Sequence, residues 1–289
     1  MLLGFVFGYM IISIMIGLYA SRLVKTSADY VVAGRSLPIY ITIATVFATW
    51  FGSETVLGIP ATFIEDGLAG IVADPFGSAM CLILVGLLFA VPLYRMKLLT
   101  LGDYYKRRYG RTVEVLVSIF ICISYLGWVS AQIVALGLVM NILSDGAISN
   151  NQGMIMGMAI VMTYTLFGGM WSVALTDFIQ MTVIVVGLII IAIFISDQSG
   201  GVGAVVAHAA ANDKLVFFPE WNLAGTLGFI AAWVTIGFGS IPQQDVFQRV
   251  MSAKSERVAK WGTITGGVLY FFFAFIPIYL AYSALIIDP

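Results

Sequence analysis

The stretch ATWFGSETVLGIPA, residues 48–61, places a single carboxylate, Glu54, in a run that is otherwise uncharged from Leu37 to Ile64. Its neighbours are small or hydroxylated: Gly52, Ser53, Thr55 and Gly58, then Pro60. Gly weakens a helix by about 1 kcal/mol and Pro removes a backbone donor, so a helix is breakable here. An ionisable group at membrane depth costs a few kcal/mol and faces a protein interior or a water-filled cavity. Irregular backbone at that depth is tolerated where it lines a cavity. The stretch therefore reads as a transmembrane helix interrupted at a binding site.

The rest of the chain supports that setting. Of 289 residues, 61% are hydrophobic and 10% charged, against about 25% charged in an ordinary soluble domain. A hydrocarbon core about 30 Å thick takes about 20 apolar residues of helix. Eight stretches meet that length, at residues 2–21, 38–63, 68–93, 113–142, 153–171, 174–196, 222–247 and 261–286. The first lacks the basic start and small-residue cleavage pattern of a signal peptide, so it is read as a retained span.

Thirteen of the 14 Lys and Arg residues fall in three clusters, at Arg22–Arg35, Arg95–Arg111 and Arg249–Lys260, with Lys214 alone elsewhere. With eight spans, all three clusters lie on one side. The positive-inside rule makes that side cytoplasmic and puts the N-terminus outside, in a plasma (inner) membrane. The basic, tyrosine-rich loop YRMKLLTLGDYYKRRYGRTVE, residues 94–114, suits a helix lying at the membrane interface rather than a nucleic-acid site. The loop at 197–221 has apolar spacing for a short surface helix and carries His208, the single histidine, which has no second His or Cys partner for a metal. Cys81 and Cys122 lie within spans and read as small apolar filler.

The seventh span repeats the opening pattern. WVTIGFGSIPQQDVFQR, residues 233–249, holds Gly237, Gly239, Ser240 and Pro242, followed by Gln243 and Gln244. Two Gly/Ser/Pro-interrupted spans, five apart, are the sequence sign of an inverted-repeat transporter whose broken helices meet at mid-membrane. Gln132, with Trp128 and Ser130, sits mid-membrane in the fourth span, where a polar side chain points inward to a solute or to a neighbouring helix. Asp177 opens the sixth span, as a first-turn acid or a functional one. Asp245 precedes Arg249 by four residues, the spacing of an ion pair on one helix face. No HExxH, P-loop or paired Cys and His is present, so no enzyme is indicated.

Four motifs in order, ADYVVAGRSLP (28–38), ATWFGSETVLG (48–58), YTLFGGMWSVALTDFIQ (164–180) and IPQQDVFQRVMSAKS (241–255), resemble the solute:sodium symporter family, nearest in motif to its choline- and proline-type carriers. The resemblance covers essentially the whole chain. It implies an all-α, multi-pass membrane protein with the inverted-repeat, leucine-transporter-type fold and about eight transmembrane helices in one domain. Residues 1–22 would be an extra N-terminal helix, 38–196 the first five-helix repeat and 222–289 the first two helices of a second repeat. The family's remaining helices, with the second half of its sodium site, would follow Pro289, so the chain is expected either to be an N-terminal portion or not to be a sodium-coupled carrier by itself.

The implied function is sodium-coupled symport of a small polar organic solute, such as an amino acid, quaternary amine or carboxylate, by alternating access, with Na+ as coupling ion and no other cofactor. Carried over by motif position, the carbonyls of Ala48 and Phe51 would bind sodium. Ser53, Glu54, Thr55, Gln243 and Gln244 would face the solute, with Gln132 beside them. Asp177 would lie on the sodium path. Sugar carriers of the family have Asn where Gln243 stands, which argues against a sugar. The alternative of another class is the symporter-like sensor domain of a membrane signalling kinase.

Overall fold

A computed structural model describes residues 2–288. All its long elements are helices: α1 (Leu2–Ser21), α2 (Ser27–Val32), α3 (Ile39–Trp50), α4 (Glu54–Gly70), α5 (Val72–Arg95), α6 (Leu101–Tyr109), α7 (Arg111–Leu143), α8 (Asn150–Gln198), α9 (Val202–Ala211), α10 (Leu223–Gly237), α11 (Gln244–Ser252) and α12 (Glu256–Ile287).

Five of these, α1, α5, α7, α8 and α12, are long and apolar enough to cross a membrane, and α3 with α4 forms a sixth span bent by 58°. The two spans expected at 153–171 and 174–196 run together in α8. Its 49 residues would extend about 73 Å if straight, more than twice a hydrocarbon core. Gly169 (φ 51°, ψ −140°) is its non-helical residue. A Cβ there would lie 2.4 Å from the Tyr30 carbonyl oxygen, so the corner also lets the chain before α3 pass close by. The seventh expected span is divided as well, into α10 of 15 residues and α11 of 9.

The two short helices expected in the loops at 94–114 and 197–221 are present. α6 is a short helix started by Thr100 and Asp103, which exchange hydrogen bonds between side chain and backbone at its first turn. α9 is the helix of the 197–221 loop and carries His208.

Packing is built on small residues, as is usual where lipid gives no hydrophobic drive between helices. α12 lies against α3 at Gly262 and Gly266, where a Cβ would come within 2.7 Å of Thr42 Cγ2 and of Val46 Cγ1. Gly17 of α1 meets Tyr164 and Ser172 of α8 in the same way. The bundle centre holds Phe47, Phe51, Ala79, Tyr270 and Ala274.

The three basic clusters come to one end of the bundle. Leu37 N–H donates to the Ser252 carbonyl and Lys254 N–H to the Leu37 carbonyl, both at 3.0 Å, pinning the start of α3 to the end of α11. Arg35 reaches the Leu98 carbonyl at 3.0 Å, and Arg95 pairs with Glu256 at 2.9 Å. Lys214 belongs to the opposite end, donating to the Glu65 carbonyl at 2.7 Å.

Candidate transport site

The first break is a diversion of amides. Phe51 N–H still bonds the Phe47 carbonyl at 3.0 Å, but Gly52 N–H turns back to Trp50 O at 3.0 Å. Ser53 N–H leaves the helix for Gln132 Oε1 at 3.1 Å. In a continuing α-helix those two amides would take the carbonyls of Ala48 and Thr49. These carbonyls lose their helical partners at the negative end of the α3 dipole, an arrangement that suits a cation.

Gln132 of α7 closes the break from the side, since its Oε1 also accepts Ser53 Oγ–H at 2.8 Å. Gly52 makes room for it: a Cβ there would sit 3.1 Å from Oε1. The chain re-enters a helix through wide π-type turns at Glu54–Gly58, a form common at functional sites.

The second break lies between α10 and α11. Phe238 and Gly239 amides both go to the Val234 carbonyl at 3.1 Å, and the chain then turns through Ser240 and Pro242 to an extended Gln243. Asp245 sits in the first turn of α11, where a helix N-terminus favours an acid. Tyr125 of α7 donates to Asp245 Oδ1 at 2.7 Å.

Between the breaks lies a cavity of about 220 Å³, lined by Glu54, Asp74, Asp245, Trp50, Tyr125, Trp128, Gln132, Ser240 and Gln243 among others. A second, of about 420 Å³, shares Thr49, Gly52, Trp128, Gln132 and Asp245 with it and adds Ala48, Tyr164, Gln180 and Arg249. Three carboxylates and three aromatic rings thus surround the first cavity. They do not converge on a point: among the described residues no three His, Cys, Asp or Glu side chains stand close enough to hold a metal ion. Distributed acids and ring faces suit an organic cation, attracted by both.

The structure sorts the expected residues. Glu54, Gln132 and Gln243 line the first cavity and Ala48 the second. Ser53 is held on Gln132. Phe51 is buried in the bundle centre, at the last turn of α3. Thr55 is fully buried and turned from the cavity, donating to Trp50 O at 2.9 Å and standing 3.1 Å from the Tyr270 hydroxyl. Gln244 points to α6, where its Oε1 accepts Leu101 N–H at 2.8 Å.

Asp177 lies well inside α8, eight residues past Gly169, beyond the reach of a first-turn dipole effect. Its Oδ2 is buried with no partner among the described residues. The ion pair expected between Asp245 and Arg249 is not formed. The Arg249 guanidinium instead reaches the Asp245 backbone carbonyl at 3.5 Å, and Tyr125 holds one oxygen of the carboxylate.

Sequence reasoning missed Asp74, whose Oδ1 accepts the Tyr270 hydroxyl at 2.5 Å. Its signal was the one that exposed Glu54, an acid within an apolar span, here with Pro75 next to it. The motif ADYVVAGRSLP has a framework role. Hydrogen bonds from the Thr26 side chain and the Lys25 backbone hold the Asp29 carboxyl below its ordinary range. Gln248 of α11 donates to the Val31 carbonyl, so the first and last of the four motifs meet.

Comparison with known proteins follows the same lines. The model of the Sodium:solute symporter family matches residues 30–287. The high-affinity choline transporter 1 of Caenorhabditis elegans is 28% identical over 285 residues, covering 92% of this chain and 47% of that protein. The high-affinity proline transporter PutP of Bacillus subtilis (strain 168) is 26% identical over 266 residues, covering 86% and 53%. Among solved structures, a substrate-bound, outward-open Na+-coupled sialic acid symporter superposes with a TM-score of 0.83 at 22% identity, covering 97% of this chain and 59% of that one. The chain spans about half the length of the curated relatives it matches.

Proposed function

The chain belongs to the sodium:solute symporter family, and we propose that it takes part in sodium-coupled symport of a small organic solute that carries positive charge, a quaternary amine above all. The relatives named above are transporters, not enzymes, and the sensor reading gains nothing from them. The observation that carries the solute class is the cavity between the two breaks, with Glu54, Asp74 and Asp245 set among Trp50, Tyr125 and Trp128.

On this reading the solute's charge is shared among the three carboxylates while its alkyl groups lie on the ring faces. Gln132 and Gln243 orient its polar tail. Sodium binds at the carbonyls of Ala48 and Phe51, hard oxygen ligands fitted to a hard cation. Asp177 marks the path by which sodium leaves. The basic end of the bundle faces the cytoplasm and the Lys214 end faces outward. Each positive charge moved down a 100 mV potential releases about 2.3 kcal/mol, enough for roughly fifty-fold accumulation by the ion's charge alone.

The test is uptake of a labelled quaternary amine into vesicles carrying the protein, with and without an inward sodium gradient. Uptake that rises with the gradient supports the reading; equal uptake in both rejects it.

A further inference from the structure

Thr55 and Tyr270 are both fully buried, so their hydroxyls take their partners from within the bundle. Three contacts at hydrogen-bond distance run in line through them. Asp74 Oδ1 lies 2.5 Å from the Tyr270 hydroxyl oxygen, that oxygen 3.1 Å from Thr55 Oγ1, and Thr55 Oγ1 2.9 Å from the Trp50 carbonyl. Each hydroxyl brings a single hydrogen, and the carbonyl brings none. With Asp74 ionised, two hydrogens serve three contacts, and one pair of buried oxygens meets with no hydrogen between them. A proton on Asp74 supplies the third. Every link then runs one way: the carboxyl donates to Tyr270, Tyr270 to Thr55 and Thr55 to the Trp50 carbonyl.

We infer that Asp74 is a proton-binding site, filled while the cavity between the breaks holds no organic cation and emptied when one enters. The proton has a way out, because Asp74 lines that cavity. Glu54 of α4 faces the same carboxyl, and Tyr270 of α12 and Ser78 of its own helix stand beside it. α10, packed on this segment, carries no titratable residue. Across the cavity lie Asp245 and Tyr125, and among the described residues no Lys, Arg or His lines it. Ionised together in an empty cavity, Glu54, Asp74 and Asp245 would repel one another uncompensated. A proton on Asp74 relieves that repulsion, and so does a bound cation.

The exchange balances: one positive charge enters and one proton leaves to water in the cavity. The solute thus adds no net charge, and the sodium ion alone carries the coupling charge. The displacement rests on the organic-cation reading of the cavity; the resting proton does not.

The test is infrared difference spectroscopy of the reconstituted full chain at neutral pH and fixed sodium, each protein read against its Asp74→Asn counterpart. Without solute, the difference is expected to show the carbonyl stretch of a protonated carboxylic acid, and saturating choline is expected to remove it. Thr55→Val leaves Tyr270 free to serve the carboxylate alone. Its proton is expected to be held about tenfold or more weakly, read from the pH at which the band disappears. A band absent without solute, a band unmoved by bound choline, or a proton held as firmly in Thr55→Val overturns the inference. Choline that does not bind is a separate failure, of the solute class: the resting band then still upholds Asp74 as the proton site, and its absence still overturns it.

Discussion

The Tyr125 hydroxyl holds Asp245 at two points, donating to its Oδ1 at 2.7 Å and accepting its backbone N–H at 3.1 Å. One oxygen on α7 thus sets both the start of α11 and the direction of an acid that lines the cavity. Removing it in Tyr125→Phe deletes a hydrogen bond to a charged group, worth about 1.5–3 kcal/mol. Solute affinity is expected to fall by about tenfold or more, read from competition binding, with the thermal midpoint lowered by several degrees.

Gln132 supports the first break, because both donors of Ser53 end on its Oε1. Gln132→Leu leaves them unsatisfied at a cost of about 1–3 kcal/mol, and thermal unfolding in detergent should show a midpoint several degrees lower. Gln132→Glu keeps the acceptor and should recover most of that loss.

Gly266 is one of the two glycines at which α12 lies against α3. A leucine there must displace Val46, and overpacking of this kind costs about 1–3 kcal/mol. Gly266→Leu is expected to lower the yield of folded protein on size-exclusion chromatography, whereas Gly228→Leu, with open space around its Cβ position, is not.

Glu54→Gln separates the solute from the ion. The solute-facing role predicts weaker amine binding with the sodium concentration for half-activation nearly unchanged. A variant with normal behaviour toward both ligands removes Glu54 from the site.

Much of the architecture was legible. The two Gly/Ser/Pro interruptions are the two breaks, and the three basic clusters do gather at one end. What local reading could not supply was rotation. Neighbouring residues on a helix point about 100° apart, so Ser53, Glu54 and Thr55 cannot all face one cavity, and Thr55 turns to Tyr270 instead. Gln243 and Gln244 part in the same way, one to the cavity and one to α6.

The i, i+4 rule for Asp245 and Arg249 describes an isolated helix, whereas here Tyr125, 120 residues earlier, takes one carboxylate oxygen and Arg249 turns to the Asp245 backbone carbonyl. Tyr270 was hidden because YFFFAFIPIY reads as bulk apolar filler, although its hydroxyl joins Asp74 to the first broken span.

Asp74 decides the central claim, that an organic cation occupies the space between the breaks. Calorimetric titration of choline into the reconstituted protein at fixed sodium should give saturable binding, weakened at least tenfold by Asp74→Asn, with proline bound more weakly than choline. Choline affinity indifferent to Asp74→Asn, or proline bound as well as choline, would contradict it.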